Sequence, residues 1–534
     1  MLVSEIPRGG IEGTLRAMEG RWPVQVALER SAYLEAAEVV CQARDLPALC
    51  EWLCSELHYT FATLVVLEEE RGWLLRYVFY GGVERSLLSL LVRIPGWENS
   101  VPSIASLVHA ADWHEREAED LFGLVFEGHP KLGDFVLHEE WPEGVNPMLR
   151  GFDGSKPYPH RELDPDWRPG RIVQSPGAFV MPIGPVYSDH AESAHFLLET
   201  VGEDVIRTIP RFFYKYRGVE KIAQGRRVED VLLLAERFSG TSAFAHSLAF
   251  CQAVERLSGL QVPERARMLR IALCELERFR HHVHAVAEIC SSTGLGVATS
   301  QASILEEELL RLSCMVSGHR YLFGLNVPGG LTVDLPERKL TLLQNDIREI
   351  LKRFLDLEDM LRFSSSFLDR LEEVGIVSAH DARAYGLVGP VARASGIERD
   401  LRKVLPYSGY ERVEFRVPCE LEGDSYARLR VLFREAEQSA QIVEDVLSSL
   451  PQGPISNTGP TPTAGSALGW VEAPRGAAFH WVCLEEDAVV ARYRLTTPSF
   501  TNWHGFHLAA ENFAFQDFPI IMASFGLSNA ESDR

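Results

Sequence analysis

Arg217-Gly218-Val219-Glu220, sixteen intervening residues, and then Arg237-Phe238-Ser239-Gly240-Thr241-Ser242-Ala243-Phe244-Ala245-His246 form the stretch that decides the fold. Its second half lies in a run, 228–259, whose apolar spacing reads as one long helix. On such a helix Ser239, Ser242 and His246 stand at i, i+3 and i+7 and share one face. Two hydroxyls and an imidazole there read as a satisfied polar core or as a polar pocket, since buried hydroxyls readily bond to helix carbonyls.

Outward from this stretch the same periodicity continues. Residues 263–291, 301–321 and 335–375 read as further helices, 183–209 as strands with a hairpin, and 478–495 as another hairpin. The stretch 451–467 reads as a loop, and 518–526 is a short apolar run near the end. Upstream, 24–141 reads as mixed α+β: a helix over 46–57, strands over 60–67, 73–80 and 87–94, and helical spacing over 113–122. Between the two regions, 146–180 holds six prolines and few apolar runs, and reads as an extended arm. The domain reading is therefore 1–145, a linker over 146–180, and 181–534. The fold class is α+β, with a small α+β domain, a Pro-rich linker and a mostly helical C-terminal domain carrying peripheral β-hairpins.

Composition narrows the function classes. The chain has 534 residues with 53 Lys+Arg against 75 Asp+Glu, a net charge of −22. That balance argues against a sequence-independent grip on nucleic acid, which needs clustered cations. The nine cysteines are odd in number, no two stand in a C-x-x-C spacing, and residues 1–20 carry no secretory pattern, so a reduced cytosolic setting is expected. No stretch approaches the roughly 18 apolar residues of a membrane span, so membrane association must run through a partner or a surface. A P-loop, a complete G-x-G-x-x-G, H-E-x-x-H and G-x-S-x-G are all absent. His281, His282 and His284 crowd one helix, but their spacing does not aim three imidazoles at one metal.

Two motifs carry the functional reading. Trp113-His114-Glu115-Arg116-Glu117-Ala118-Glu119-Asp120-Leu121-Phe122-Gly123, closing with Gly128-His129-Pro130, puts four carboxylates around one arginine, which by itself describes a helix start with a solvated face. The string resembles the signature of the 30-kDa-type peripheral-arm subunit of NADH:quinone oxidoreductase, respiratory complex I. The resemblance implies a docking role for Glu115, Arg116, Glu117, Asp120 and His129.

The opening stretch resembles the N-terminal signature of NiFe-hydrogenase large subunits, R-G-x-E followed by R-x-C-G-x-C-x-x-x-H. Serines 239 and 242 stand at both thiolate positions. The family's C-terminal signature, D-P-C-x-x-C-x-x-[HR], falls on 526–534, where Ser528 and Glu531 replace the two cysteines. A nickel–iron centre needs soft thiolates, which ionise at about pH 8 or below when activated, whereas a serine hydroxyl stays protonated and hard. No metal centre of this chain's own is expected.

Further similarity runs through Gly184-Pro185, Glu255, 263–266, Arg270, 275–278, His282, 318–320, 328–330, 498–500 and 517–521. It extends to the hydrogenase large subunit and its 49-kDa complex I relative. The fusion of both parts resembles the large subunit of formate-hydrogenlyase-type (hydrogenase-4-type) enzymes and the fused C–D subunit of some bacterial complexes I, over roughly nine-tenths of the chain. In the complex I relative the vacated cavity binds a quinone headgroup. Its loop histidine falls here on Ala191, beside His190 and near Tyr187, and its tyrosine falls on Gly240.

The resemblance implies a peripheral-arm subunit on the inner, cytoplasmic face of the cell membrane. Its partners would be an iron–sulfur small subunit and membrane-arm subunits, with the iron–sulfur cluster on the partner and quinone as the one candidate ligand. Glu220 takes the position that relays protons in hydrogenases, and with His246 and Glu531 would form a titratable pocket. Arg237 takes the position of a cation near the partner's cluster. An altered quinone-reducing subunit and a non-catalytic scaffold with a vestigial pocket are the alternatives.

Overall fold

The structure, a computed structural model, describes residues 10–30, 35–81, 85–166, 170–174, 176–187 and 192–534. Two compact units are present: Met1–Arg168 with Ala384–Gly386 and Val404–Pro406, and Pro169–Arg383 with Leu387–Lys403 and Tyr407–Arg534.

The first unit is built on a five-stranded sheet in the order Gln25–Arg30, Glu35–Cys41, Ser86–Pro95, Gly72–Gly81, Tyr59–Glu69. Only the pairing of Glu35–Cys41 with Ser86–Pro95 is parallel. The central strands read as continuous apolar runs because both faces are covered: Tyr77, Phe79, Leu88 and Leu90 are all fully buried. The helix Asp112–Phe122 packs on this sheet, with the His114 ring edge-on to Phe61 at 5.1 Å.

The second unit is organised around one long helix, Glu264–Ser292, flanked by Gly296–Ser317 and Ser425–Ser448, with Glu337–Arg362 packed on those two. That helix is buried nearly all round, which marks the centre of a large core. Beside it, Ala243–Ser258 lies on a three-stranded meander of Gly465–Ala473, Gly476–Leu484 and Val490–Thr496. The approach is close enough that a Cβ on Gly469 would sit 1.8 Å from the Ala249 carbonyl, so no side chain fits there. A four-stranded antiparallel sheet (Glu511–Ala514, Asp204–Arg211, His195–Val201, Ala178–Ile183) completes the unit. Among the described residues no helix is long and apolar enough to cross a membrane.

The α+β class and the mostly helical C-terminal unit agree with the sequence reading. Three local expectations are corrected. The single helix over 228–259 is two, Val228–Arg237 and Ala243–Ser258, separated by an extended Ser239 and a 3-10 turn at Gly240–Ser242. The loop assigned to 451–467 gives way at Gly465 to a strand, because its edge pairs with residues 476–484 rather than with solvent. The helix 112–122 does not turn its charges to water: Glu115, Arg116 and Glu117 are all buried.

Candidate functional site

The break between the two helices creates the site. Ser239 adopts φ −132°, ψ 91°, and the 3-10 turn carries Ser242 to the start of the Ala243–Ser258 helix. The serines therefore reach this buried polar site from a turn, not from a continuous helical face. The next helix begins with its first N–H groups held by a carboxylate from elsewhere: Glu277 accepts from Phe244 N at 2.8 Å and Ala245 N at 3.0 Å. An ionised group suits a helix N-terminus. Burial nevertheless lifts the Glu277 carboxyl to about 7, against these bonds.

Between the serines and the C-terminal helix stands Arg475, at the turn joining the first two strands of the meander. Its Nη1 donates to Thr241 Oγ1 at 3.0 Å and Ser242 Oγ at 3.4 Å, its Nε donates to Gly526 O at 2.7 Å, and Nη1 lies 4.0 Å from Glu531 Oε2. The sequence reading missed Arg475; the available signal was Pro474-Arg475-Gly476, a turn with a charge at its tip.

His246 is fully buried. Its Nε2 lies 3.0 Å from Glu531 Oε1 and its Nδ1 lies 3.0 Å from His480 Nε2. His480 Nδ1 in turn lies 2.7 Å from the Tyr493 hydroxyl. At the other end, the Ser499 hydroxyl donates to Glu531 Oε2. One assignment of hydrogens satisfies the line. Tyr493 donates to His480, His480 Nε2–H donates to His246, and His246 Nε2–H donates to Glu531. Burial pushes the Glu531 carboxyl up, but Arg475, His246 and Ser499 outweigh it and hold it below the ordinary value, so it is the anionic end. Burial and the neighbouring His246 hold His480 neutral, well below the usual imidazole range.

Glu220 behaves differently from the resemblance-based expectation. It is buried, and it faces Arg492 Nη1 at 2.8 Å, Arg494 Nη1 at 3.3 Å and Arg534 Nε at 3.7 Å, while accepting from Leu495 N at 3.1 Å. Burial pushes its carboxyl up, but the three guanidiniums win and bring it to about 2. A carboxylate held there keeps its charge at neutral pH and does not exchange a proton. Glu220 is a fixed counter-ion, not a member of a titratable pocket with His246 and Glu531.

Of the four positions that the hydrogenase-type signatures align with thiolates, Ser242, Ser528 and Glu531 make internal hydrogen bonds. Ser528 Oγ donates to Glu192 at 3.0 Å and accepts from Glu531 N at 3.1 Å, capping the short Asn529–Asp533 helix. Glu192 also accepts from Ala530 N at 2.8 Å. Ser239 Oγ has no hydrogen-bond partner among the described residues. Arg237 is largely exposed, with its guanidinium 5.9 Å from the Phe323 ring. Tyr187 spends its hydroxyl on the Ala194 carbonyl at 3.0 Å. His190 lies outside the described residues. Among the described residues no group of three or more His, Cys, Asp or Glu is placed to hold a metal ion.

In the first unit, the motif around residue 115 turns inward, so most of its side chains are not available as a contact surface. Glu115 accepts from Ser103 Oγ at 2.5 Å and Ile104 N at 2.9 Å, and burial raises its carboxyl to about 7. One oxygen of Asp120 accepts from Phe135, Val136 and Leu137 N at 2.9, 2.7 and 3.0 Å. His129 Nε2 lies 3.0 Å from Asp112 Oδ1, and the Arg116 guanidinium sits 4.2 Å from the Phe135 ring. These groups shape the 129–137 segment. Asp120→Ala strands three part-buried N–H groups and is expected to destabilise the first unit by about 2 kcal/mol, read by urea denaturation of the full chain.

Comparison with known proteins places these features. Residues 295–461 and 455–534 match the model of the respiratory-chain NADH dehydrogenase 49 Kd subunit, 39–158 that of the 30 Kd subunit, and 217–286 that of nickel-dependent hydrogenase. The chain is 30% identical to formate hydrogenlyase subunit 5 of Escherichia coli (strain K12) over 484 residues, covering 90% of this chain and 83% of that one. It is 28% identical to the fused C/D subunit of the NADH-quinone oxidoreductase of Acinetobacter baumannii (strain AYE), covering 82% and 80%. Among solved structures, a chain of the membrane-bound sulfane sulfur reductase, an archaeal respiratory membrane complex, matches with TM-score 0.64 and 25% identity, over 67% of this chain and 99% of that one.

Proposed function

The chain belongs to the family of fused 30-kDa- and 49-kDa-type subunits that includes formate hydrogenlyase subunit 5, and from that premise we propose that it works without a nickel–iron centre of its own. Its general role is that of its family, a peripheral-arm-type subunit of complex I-like or hydrogenase-type membrane complexes. In our reading it couples electron transfer on an iron–sulfur partner to proton movement in its own cavity. It sits at the inner face of the membrane, held by that partner and by membrane-arm subunits.

The donor set supports the metal-free reading. Three hydroxyls and a carboxylate stand where soft thiolates are needed, and a guanidinium lies among them, 3.4 Å from Ser242 Oγ and 4.0 Å from Glu531. A fixed cation there stabilises an anionic carboxylate but repels a metal ion. The native complex, assayed by elemental mass spectrometry, is expected to carry iron without stoichiometric nickel. One nickel per chain overturns the proposal.

The observation that carries the proton role is the unbroken line of hydrogen-bond distances Tyr493–His480–His246–Glu531, which one assignment of hydrogens directs toward the anionic end. Imidazoles serve as proton shuttles because each ring accepts on one nitrogen and donates on the other. The quinone alternative has weaker support: the Tyr187 hydroxyl is engaged with backbone, and Gly240 offers no phenol. No displacement of a quinone analogue from the native complex by substitution at Tyr187 is expected.

A further inference from the structure

Away from the buried 239–246 site, the second unit encloses a cluster of charged side chains from four segments. Glu275, Arg278 and His282 come from the Glu264–Ser292 helix; Arg393, Asp400 and Arg402 from 389–404; Glu435 from the Ser425–Ser448 helix; and Glu472 from the Gly465–Ala473 strand. None is more than 2% exposed.

Most of the charges are closely matched. Glu275 is held by Arg402 Nη1 at 2.9 Å, Arg278 Nε at 3.2 Å, and the hydroxyls of Tyr410 at 2.5 Å and Ser439 at 2.7 Å. Asp400 pairs with Arg402 Nη2 at 2.6 Å, and Arg393 Nη1 lies 3.6 Å away. Glu435 takes Arg393 Nε at 2.5 Å and His282 Nε2 at 3.0 Å. Glu472 receives only Arg393 Nη1 at 2.9 Å and Leu401 N at 3.0 Å, and the nearby Asp400 carries a like charge. Arg278 gives two of its donors to the Glu472 and Ala473 carbonyl oxygens instead.

Four carboxylates thus face three guanidiniums. An uncompensated charge in a dry interior is expensive, so such a site takes up a proton. His282 faces Arg278, Arg393 and the His281 ring as well as Glu435, and burial with the two guanidiniums keeps it neutral, below the usual imidazole range. We propose that Glu472 is protonated at neutral pH and that the cluster is a buried one-proton store. The least-compensated carboxyl holds the proton. Burial and Asp400 push the Glu472 carboxyl up, and together they outweigh Arg393, Arg278 and the Leu401 N–H, which act against them. Arg393 Nη2 has no hydrogen-bond partner among the described residues, so this guanidinium retains a donor for the carboxylate left when the proton departs. Release breaks one O–H bond, leaves its electron pair on the Glu472 carboxylate and passes the proton to water, so the cluster becomes one unit more negative. Glu472 lies three positions before Arg475, on the strand that leads into the turn carrying Arg475. This goes beyond the coupling reading and does not depend on it.

Infrared difference spectroscopy of the full chain, wild type minus Glu472→Gln at pH 7, tests it. The expected result is loss of one protonated-carboxyl C=O band. Loss of ionised-carboxylate bands instead overturns the proposal. Thermal melting gives a second readout. Glu472→Gln mimics the protonated acid and is expected to melt within about 2 °C of wild type. Glu435→Gln and Asp400→Asn strip a buried guanidinium of its partner and are expected to melt roughly 5–10 °C lower. A fall at Glu472→Gln as large as theirs overturns the proposal. The infrared arm decides even where one of those two variants does not fold.

Discussion

Glu220→Gln is expected to destabilise the second unit by about 3–5 kcal/mol, the range for removing one partner of a buried ion pair. The carboxylate faces Arg492, Arg494 and Arg534, each of them buried, and it joins the 217–223 segment to a meander strand and to the last residue of the chain. Moving a carboxyl from its ordinary value near 4.5 to about 2 corresponds to about 3 kcal/mol at neutral pH, in line with that range. The pH dependence has a defined sign. A depressed folded value means the contribution is present above the unfolded carboxylate value and is lost as pH falls through about 2. Denaturant midpoints measured across the acid range are expected to fall more steeply for wild type than for Glu220→Gln, because other buried carboxylates such as Glu531 still contribute an acid limb in the variant. The C-terminal segment, tied through Arg534 and through Arg217 N to Arg534 O at 3.0 Å, becomes more open to proteolysis in the variant. Equal stability of the two proteins at pH 7 would show that the guanidiniums are balanced elsewhere.

The same residue shows where sequence reading stops. Local patterns reported the elements well. The strands 59–69, 72–81 and 86–95 are continuous apolar runs, and the helices 264–292 and 337–362 carry helical periodicity, because burial of a face leaves its period in the chain. The hydrogenase-like spacing over 217–246 was equally legible, since spacing survives substitution. The break at Ser239–Ser242 was not. Both sides of it have helical composition, and it is held open by Glu277 and Arg475, which lie 33 or more positions away. Glu220 was placed by position in a motif, but its chemistry is set by three arginines brought from residues 492–534 by the fold. His480 and Tyr493 share that history: they sit on neighbouring strands, and only the packing of that sheet against the Ala243–Ser258 helix aligns them with His246. Around residue 115, charge density suggested a wet face, whereas the charges are spent inward on backbone N–H groups.

His480→Gln is expected to lower turnover of the assembled complex by about 100-fold, at the low end of what a positioned proton-transfer group contributes. Glutamine keeps a donor and an acceptor near the same places, so packing between Tyr493 and His246 is preserved. It does not take up a proton on one atom while releasing one from another, which an imidazole does. The line then holds its hydrogen bonds but no longer conducts. His246→Gln is expected to match it, since a chain of transfers fails at any non-exchanging member, and the double variant is expected to add little to either single one. Glu220→Gln separates the two kinds of defect: it weakens the fold, while any enzyme that remains folded keeps its turnover per assembled complex. The scaffold alternative makes the opposite forecast, with His480→Gln assembling normally and turning over like wild type. Proton-coupled turnover, normalised to assembled complex and followed with pH, distinguishes them. Under the relay reading the substitution lowers turnover while assembly and thermal stability stay at wild-type levels, and loss of packing alone has no reason to do that.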